Sequence, residues 1–156
     1  MKKLYRIRHK LYADYVKELE KIRNLPFPDS NAEKRKWCQD YLDNSYYNWI
    51  DIRDNNSEII GFLIIGTKPD CHPDCDYFIC QSYIIPENRE HHFMTNTVYE
   101  FVTNHKGKYC LMILDSNEYA NNFWFKLFKD LGYKPMALPI VTDMEFDETQ
   151  YGFEPV

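Results

Sequence analysis

The sequence predicts an α/β fold, a sheet covered by helices on both of its faces. Three observations carry this. The segments 58–67 and 76–85 are apolar on both faces, as a strand is when it lies centrally between two layers. The segment 76–114 reads strand, helix, strand, the pattern of a parallel crossover unit. Helical and strand-like spacings also follow one another along almost the whole chain. Its 156 residues are the length of one ordinary domain, so 1–156 is expected to be a single unit.

The elements follow in order. Positions 4–8 alternate and predict a short strand. Tyr12, Tyr15, Val16, Leu19 and Ile22 fall at helical spacing, and Leu25-Pro26-Phe27-Pro28 stops that helix. Asp29 or Ser30 can cap a second helix with the stripe Trp37, Cys38, Tyr41 and Leu42. Positions 46–53 and 58–67 predict a hairpin about the turn cluster Asp54-Asn55-Asn56-Ser57. After the strand 76–85, Pro86-Glu87-Asn88 opens a helix carrying Met94, Val98, Phe101 and Val102, with Gly107 as its stop. Tyr109–Leu114 is a compact buried strand. Asp115 and Glu118 have capping-pair spacing before a helix that ends at Gly132. The tail is expected to hold strands at 136–141 and 143–146.

Composition narrows the function. Hydrophobic residues at 44% and aromatics at 17% exclude a disordered chain. A net charge of −5 argues against a nucleic-acid partner, which calls for a basic face. No stretch approaches the ~20 apolar residues of a membrane helix. The N-terminus has charge but no apolar run behind it, so neither export nor a membrane partner is expected. A cytoplasmic location with reduced cysteines follows as the expectation.

The helix that starts after the central strand lies where open α/β sheets bind ligands. A helix N-terminus presents unpaired N–H groups and the positive end of the dipole, a seat for a pyrophosphate. Arg89 could add a charge-assisted bond there. Tyr83-Ile84-Ile85-Pro86-Glu87-Asn88-Arg89 resembles the strand-to-loop signature of the GNAT family of acetyl-CoA-dependent N-acetyltransferases: an aliphatic residue, any residue, Pro, two residues, Arg. Asn117-Glu118-Tyr119-Ala120-Asn121-Asn122-Phe123-Trp124, continuing to Leu131-Gly132-Tyr133, resembles that family's closing helix.

The resemblance implies a mixed, mostly antiparallel sheet of six to seven strands with a V-shaped splay. Acetyl-CoA would be the cosubstrate, without a metal. Its pantetheine arm would pair with Tyr83, Ile84 and Ile85 as an added strand. Its pyrophosphate would sit on the amides of Arg89, Glu90, His91, His92, Phe93 and Met94. Asn117 and Trp124 match the closing-helix positions that flank the acetyl end and the pantetheine; a second alignment of that helix puts Asn121 and Phe128 there.

The sequence departs from the family pattern in three places. His92 and Met94 stand where small residues normally let a phosphate approach the backbone. The closing helix carries four extra residues, close to one turn of ~3.6, so its buried face stays in phase. The tyrosine acid is replaced by Trp124 or Phe128, and Cys80 and Gln81 occupy the places of the glutamate base. Alignment of reactants alone supplies ~7–11 kcal/mol, against about 10²–10⁴-fold from proton transfer. The expected reaction is therefore direct transfer to a primary amine in a ternary complex. Gln81 would orient substrate or water, with Asp76, Asp115 or Tyr83 as water-relayed proton groups. The alternative is a catalytically degenerate module of the same fold, an acyl-CoA sensor or a protein-binding domain. A monomer or a homodimer fits either.

Other features carry less. Cys71-His72-Pro73-Asp74-Cys75 has zinc-ligand types but no second cysteine pair, and it is read as a loop with incidental thiols. Tyr46, Tyr47 and Trp49 are read as core or as a wall for the acceptor, and Glu33-Lys34-Arg35-Lys36 as a solvated helix face.

Overall fold

The structure is a computed structural model and describes residues 2–67, 73–137, 142–143 and 148–156. Helix α1 spans Lys2–Arg23, and no strand precedes it among the described residues. The strand expected at 4–8 is thus corrected. Leu4, Ile7 and Leu11 lie three and four apart, in phase with Tyr12, Tyr15 and Val16, so the apolar stripe extends back through them. Five alternating residues do not outcompete propagation of a helix already formed beyond them. Arg8 fastens this first stretch to the sheet, donating from Nε and Nη2 to the Asp51 carboxylate at 3.1 and 2.7 Å.

Helix α2, Asn31–Asp43, starts as expected on Ser30, whose side chain accepts from the Glu33 amide. Strands β1 (Tyr47–Arg53) and β2 (Ile59–Thr67) form the hairpin, and Asp54 Oδ1 accepts from the Asn56 and Glu58 amides within its turn. Strand β2 explains its two-sided hydrophobicity. Phe62 and Ile64 pack with Leu11, Tyr12 and Val16 of α1, while Leu63 and Ile65 face the opposite layer. That layer is built by α3 (Phe93–Asn104) and α4 (Glu118–Asp130), through Val98, Phe101, Val102, Trp124, Leu127 and Phe128. Helices therefore cover both faces.

The remaining strands are β3 (Tyr77–Ile84), β4 (Tyr109–Leu114), β5 (Tyr133–Pro135), β6 (Thr142–Asp143) and β7 (Glu148–Pro155). The seven-stranded sheet has the order β1-β2-β3-β4-β7-β5, with β6 on β7. Among the described residues only β3 and β4 run parallel, confirming the crossover; every other pair there is antiparallel. Their pairing is short: Tyr77, Phe78 and Ile79 meet Tyr109, Cys110 and Leu111, and there it stops. Beyond it each strand keeps its other neighbour. Ser82 to Ile84 stay on Leu63 to Gly61, and Met112 to Leu114 stay on Gln150 to Glu148. The sheet is thus split into two arms by a V.

A bulge lies at the fork. Ile79 pairs with Ile65 and Gln81 with Ile64, leaving Cys80 as the extra residue. Such an insertion bends its strand and increases local twist, which turns β3 away from β4.

Three further expectations are revised. Asn117, not Asp115, caps α4, accepting from the Ala120 amide at 3.1 Å. Helix α3 ends at Asn104, before Gly107. In the tail, Met136 and Ala137 are not in a strand and 138–141 lie outside the described residues. The second tail strand is represented by Thr142–Asp143, since 144–146 also lie outside them. The long closing strand is β7, which alternation did not reveal because Glu148-Thr149-Gln150 is polar on both faces.

Phe128 is fully buried, stacked on Phe153 at 4.4 Å and close to Tyr109 and Tyr133. Phe128→Ala is expected to cost about 3–5 kcal/mol of stability, read as a lower urea midpoint.

Candidate functional site

The V opens into a cavity of about 1190 Å³. That is at or above the usual ~300–1,000 Å³ of small-molecule sites, and it suits an elongated ligand. Its walls include β3 and β4, Tyr15 and Glu18 of α1, Tyr41 of α2, the start of α3 and the exposed flank of α4. The cavity therefore reaches both faces of the sheet through the gap between the arms. Along the gap, 80–84 and 112–114 have no partner in each other, so each arm turns main-chain groups toward it.

The start of α3 differs from expectation in detail. Pro86–His91 is a 3₁₀ turn, and His92 interrupts it in the left-handed region at φ 61°. The α-helix proper begins at Phe93. Its first bond runs from the Asn96 N–H to the His92 carbonyl at 2.9 Å, so the amides of Phe93, Met94 and Thr95 stand ahead of the ladder. Phe93 and Met94 pack their side chains against the core. The bulky residues at this loop thus need not cover the backbone. His92 takes the left-handed conformation that glycine would adopt without strain.

Of the residues predicted for a cofactor, Ile84, Arg89, Glu90, His92, Phe93, Met94, Asn117 and Trp124 line this cavity. His91 is exposed beside it, with its ring 6.0 Å from that of Phe93. Ile85 is turned into the core, and its amide is spent on the Ile60 carbonyl at 2.9 Å. Arg89 is a strut. Its Nε donates to the Ile84 carbonyl at 2.8 Å, its Nη2 pairs with Glu18 at 2.7 Å, and the guanidinium lies 5.4 Å from the Tyr83 ring centre. It joins the 3₁₀ turn, β3 and α1 before it meets any ligand.

On helix α4 the residues of the two alignments lie in different surroundings. Asn117 and Trp124 border the cavity, whereas Phe128 is in the core and Asn121 turns to a smaller pocket of about 360 Å³. Asn121 Nδ2 donates to the Asn117 carbonyl at 3.0 Å. Asp115 is on that smaller pocket too, accepting from Thr149 Oγ1 at 2.5 Å. The structure does not bring Asp115 to the V. Asp76 likewise is off the cavity, accepting from the Lys108 amide at 2.9 Å.

On the α1 face, Gln81 is gripped at both ends. Its Oε1 accepts from the Tyr15 hydroxyl and its Nε2 donates to the Tyr41 hydroxyl at 3.2 Å. The Tyr83 ring is tilted against those of Tyr15 and Phe62, with centres 5.9 and 6.1 Å away. Burial, with the neighbouring Tyr41 and Glu148, pushes the Tyr15 hydroxyl well above its ordinary pKa. Burial, then Glu18 and Asp14, raises that of Tyr83 against the opposing Arg89. Both remain neutral O–H groups at physiological pH. Tyr15, Tyr41, Glu18 and Glu148 border the cavity and were not assigned from sequence. The first three sit in helical stripes that read as core and surface, and Glu148 sits in a strand without alternation.

Tyr47 and Trp49 pack against the α1 layer, Tyr46 is exposed, and Lys34 pairs with Glu20 at 3.1 Å. Among the described residues no group of three His, Cys, Asp or Glu side chains could hold a metal ion; Cys71 and His72 lie outside them. No helix among them is long and apolar enough to cross a membrane.

Comparison with solved structures places this architecture. The chain resembles a structure described as histone acetyltransferase HPA2 and related acetyltransferase from Corynebacterium glutamicum. The TM-score is 0.71 at 14% identity, over 97% of this chain and 91% of that one. An acetyltransferase from Thermus thermophilus matches with TM-score 0.62 and 16% identity, over 96% and 86%. An acetyltransferase of the GNAT family from Staphylococcus aureus matches with 0.59 and 12%, over 94% and 92%. The fold is the GNAT acyl-CoA N-acyltransferase fold. No family model matches the sequence, and no curated protein matches it.

Two outcomes test the site as described. His92→Gly relieves the left-handed backbone and is expected to stabilise the protein by up to about 1 kcal/mol, the ~1–2 kcal/mol strain less the glycine entropy cost; a higher denaturant midpoint checks it. Cys80 is half-exposed on the cavity, while Cys38, Cys75 and Cys110 are buried, with the Cys38 thiol pushed up to about 12 by burial. Iodoacetamide is expected to label Cys80 ahead of those three, by peptide mass mapping.

Proposed function

We propose that the protein is an acetyl-CoA-dependent N-acetyltransferase acting on a primary amine. The observation that carries this is the gap between β3 and β4, whose facing main-chain edges end beside the uncommitted amides at the start of α3. An extended chain with amide groups can add itself to such an edge as a strand, and a diphosphate suits the helix start. Acetyl-CoA has both parts. The structural neighbours described as acetyltransferases support the same reading.

In this reading Phe93, Met94 and Thr95 hold the pyrophosphate through their amides, Ile84 and its neighbours hold the pantetheine, and Asn117 and Trp124 flank the acetyl end. Arg89 keeps the Ile84 segment in place, and Gln81, fixed by Tyr15 and Tyr41, orients the acceptor nitrogen or a water. The acetyl group passes directly to the amine in a ternary complex, and the thiolate leaves. The hydroxyl of Tyr83, kept protonated by burial, is a donor within reach of the chamber.

Acetyl-CoA is expected to raise the melting temperature and, with a reactive amine, to release free thiol. A stabilising shift without thiol release from any amine would favour the alternative, an acyl-CoA-binding module that has lost turnover. No shift at all would remove the proposal. Glu90 is exposed next to the phosphate seat. Glu90→Lys should therefore tighten acetyl-CoA binding by roughly thirtyfold at low salt, about 1 kcal/mol for each of the two units of charge changed, and less at high salt. Calorimetry at two ionic strengths checks this.

A further inference from the structure

We infer that Tyr119 and Phe123 form the platform for the adenine ring of the acyl donor. The chain then selects a thioester carried on a nucleotide over the same thioester on phosphopantetheine alone. This rests on the proposed acetyl-CoA reading and adds the side chains that choose the donor.

Topology brings the pair to the phosphate seat. Strands β3 and β4 are parallel, so their last residues, Ile84 and Leu114, mark the same open end of the V. Helix α3 follows β3 there and α4 follows β4, and the two pack in one layer on one face of the sheet. The amides of Phe93 to Thr95 therefore stand across the mouth from the first turn of α4, which holds Tyr119. His92 to Thr95 line the cavity from one side, Tyr119 and Phe123 from the other. With its pantetheine in the gap and its diphosphate on α3, a donor has its nucleoside left outside, on the side where α4 forms the wall.

The pair has the form that a flat ring calls for. Tyr119 and Phe123 are four residues apart and so share one helix face. Their rings are nearly parallel, 12° between planes and 6.4 Å between centres. Phe123 is backed by the Trp124 ring, set edgewise at 5.1 Å. Tyr119 is 67% exposed, more than any other aromatic side chain among the described residues. A ring held open in this way stacks any purine, because stacking asks only for a π-face.

Charge on this flank suits a base and not a phosphate. Lys126, almost a turn beyond Phe123, is engaged by Asp130 at 2.9 Å, and Glu118 is exposed beside Tyr119. An uncharged adenine meets neither repulsion nor the loss of an ion pair there.

Calorimetry with acetyl-CoA and with acetyl-4′-phosphopantetheine tests this on the parent, Tyr119→Ala and Tyr119→Phe. The parent is expected to hold acetyl-CoA the more tightly. Tyr119→Ala is expected to weaken acetyl-CoA binding by about tenfold, and Tyr119→Phe, which keeps the ring, to stay within twofold of the parent. The exposed position leaves the urea midpoint of the ligand-free variants unchanged. A Tyr119→Ala variant within twofold of the parent overturns the inference. So does a Tyr119→Phe variant as weak as the Ala one, or a parent that binds both thioesters equally, and each of these leaves the acetyl-CoA reading intact. A parent that binds no acetyl-CoA removes that reading itself.

Discussion

Three rungs of parallel pairing hold the two halves of this sheet together, and the rest of the molecule is arranged around their ending where they do. An unpaired strand edge inside a protein ordinarily carries a desolvation cost for each orphaned N–H or C=O. Here that cost is limited, because each arm keeps a full antiparallel neighbour on its other side and only the gap-facing groups lack one. The arms are therefore stiff. The bulge at Cys80 supplies the bend, and the layers of helices hold each arm at its own angle. The gap is a property of the packed fold.

The aromatic content finds its use in this division. One ring cluster, Tyr12, Tyr15, Trp49, Phe62 and Tyr83, fixes α1 against the β1–β3 arm. Another, Tyr109, Phe128, Tyr133 and Phe153, fixes α4 against the β4–β7 arm. Each cluster buries large rings in tilted or stacked contacts. Between them Arg89 reaches from the 3₁₀ turn to Ile84 and Glu18, a bond set that ties α1 to the tip of the β3 arm. Cavity-facing side chains such as Gln81 are thereby held from behind by side chains that belong to the core.

Much of this was legible in the sequence. The central strands announced themselves by being apolar on both faces, and Phe62 to Ile65 show why. The Pro-Glu-Asn-Arg turn and the Asn117 to Trp124 pattern located the gap and its far wall, because both depend on local backbone geometry. What escaped was set by tertiary context. The 4–8 alternation was overridden by continuity with α1. Arg89 read as a phosphate ligand, since nothing local reveals that Glu18, 71 residues away, will claim it. Asp115 read as a relay, while strand register carries it to the other side of β7. Tyr15 and Tyr41 met Gln81 only through the packing of two helices on one strand.

A recess whose donors and acceptors are peptide groups is indifferent to the side chains that flank it. At 14% identity the chain still superimposes over nearly its full length on a bacterial structure of the same fold. Histidine at 92 leaves the recess open, because the N–H groups of Phe93 to Thr95 belong to the main chain. Chemical identity is free to drift as long as the main-chain path is kept. The residues that distinguish one such protein from another are then to be sought on the α1 side of the gap, where side chains rather than peptides make the wall.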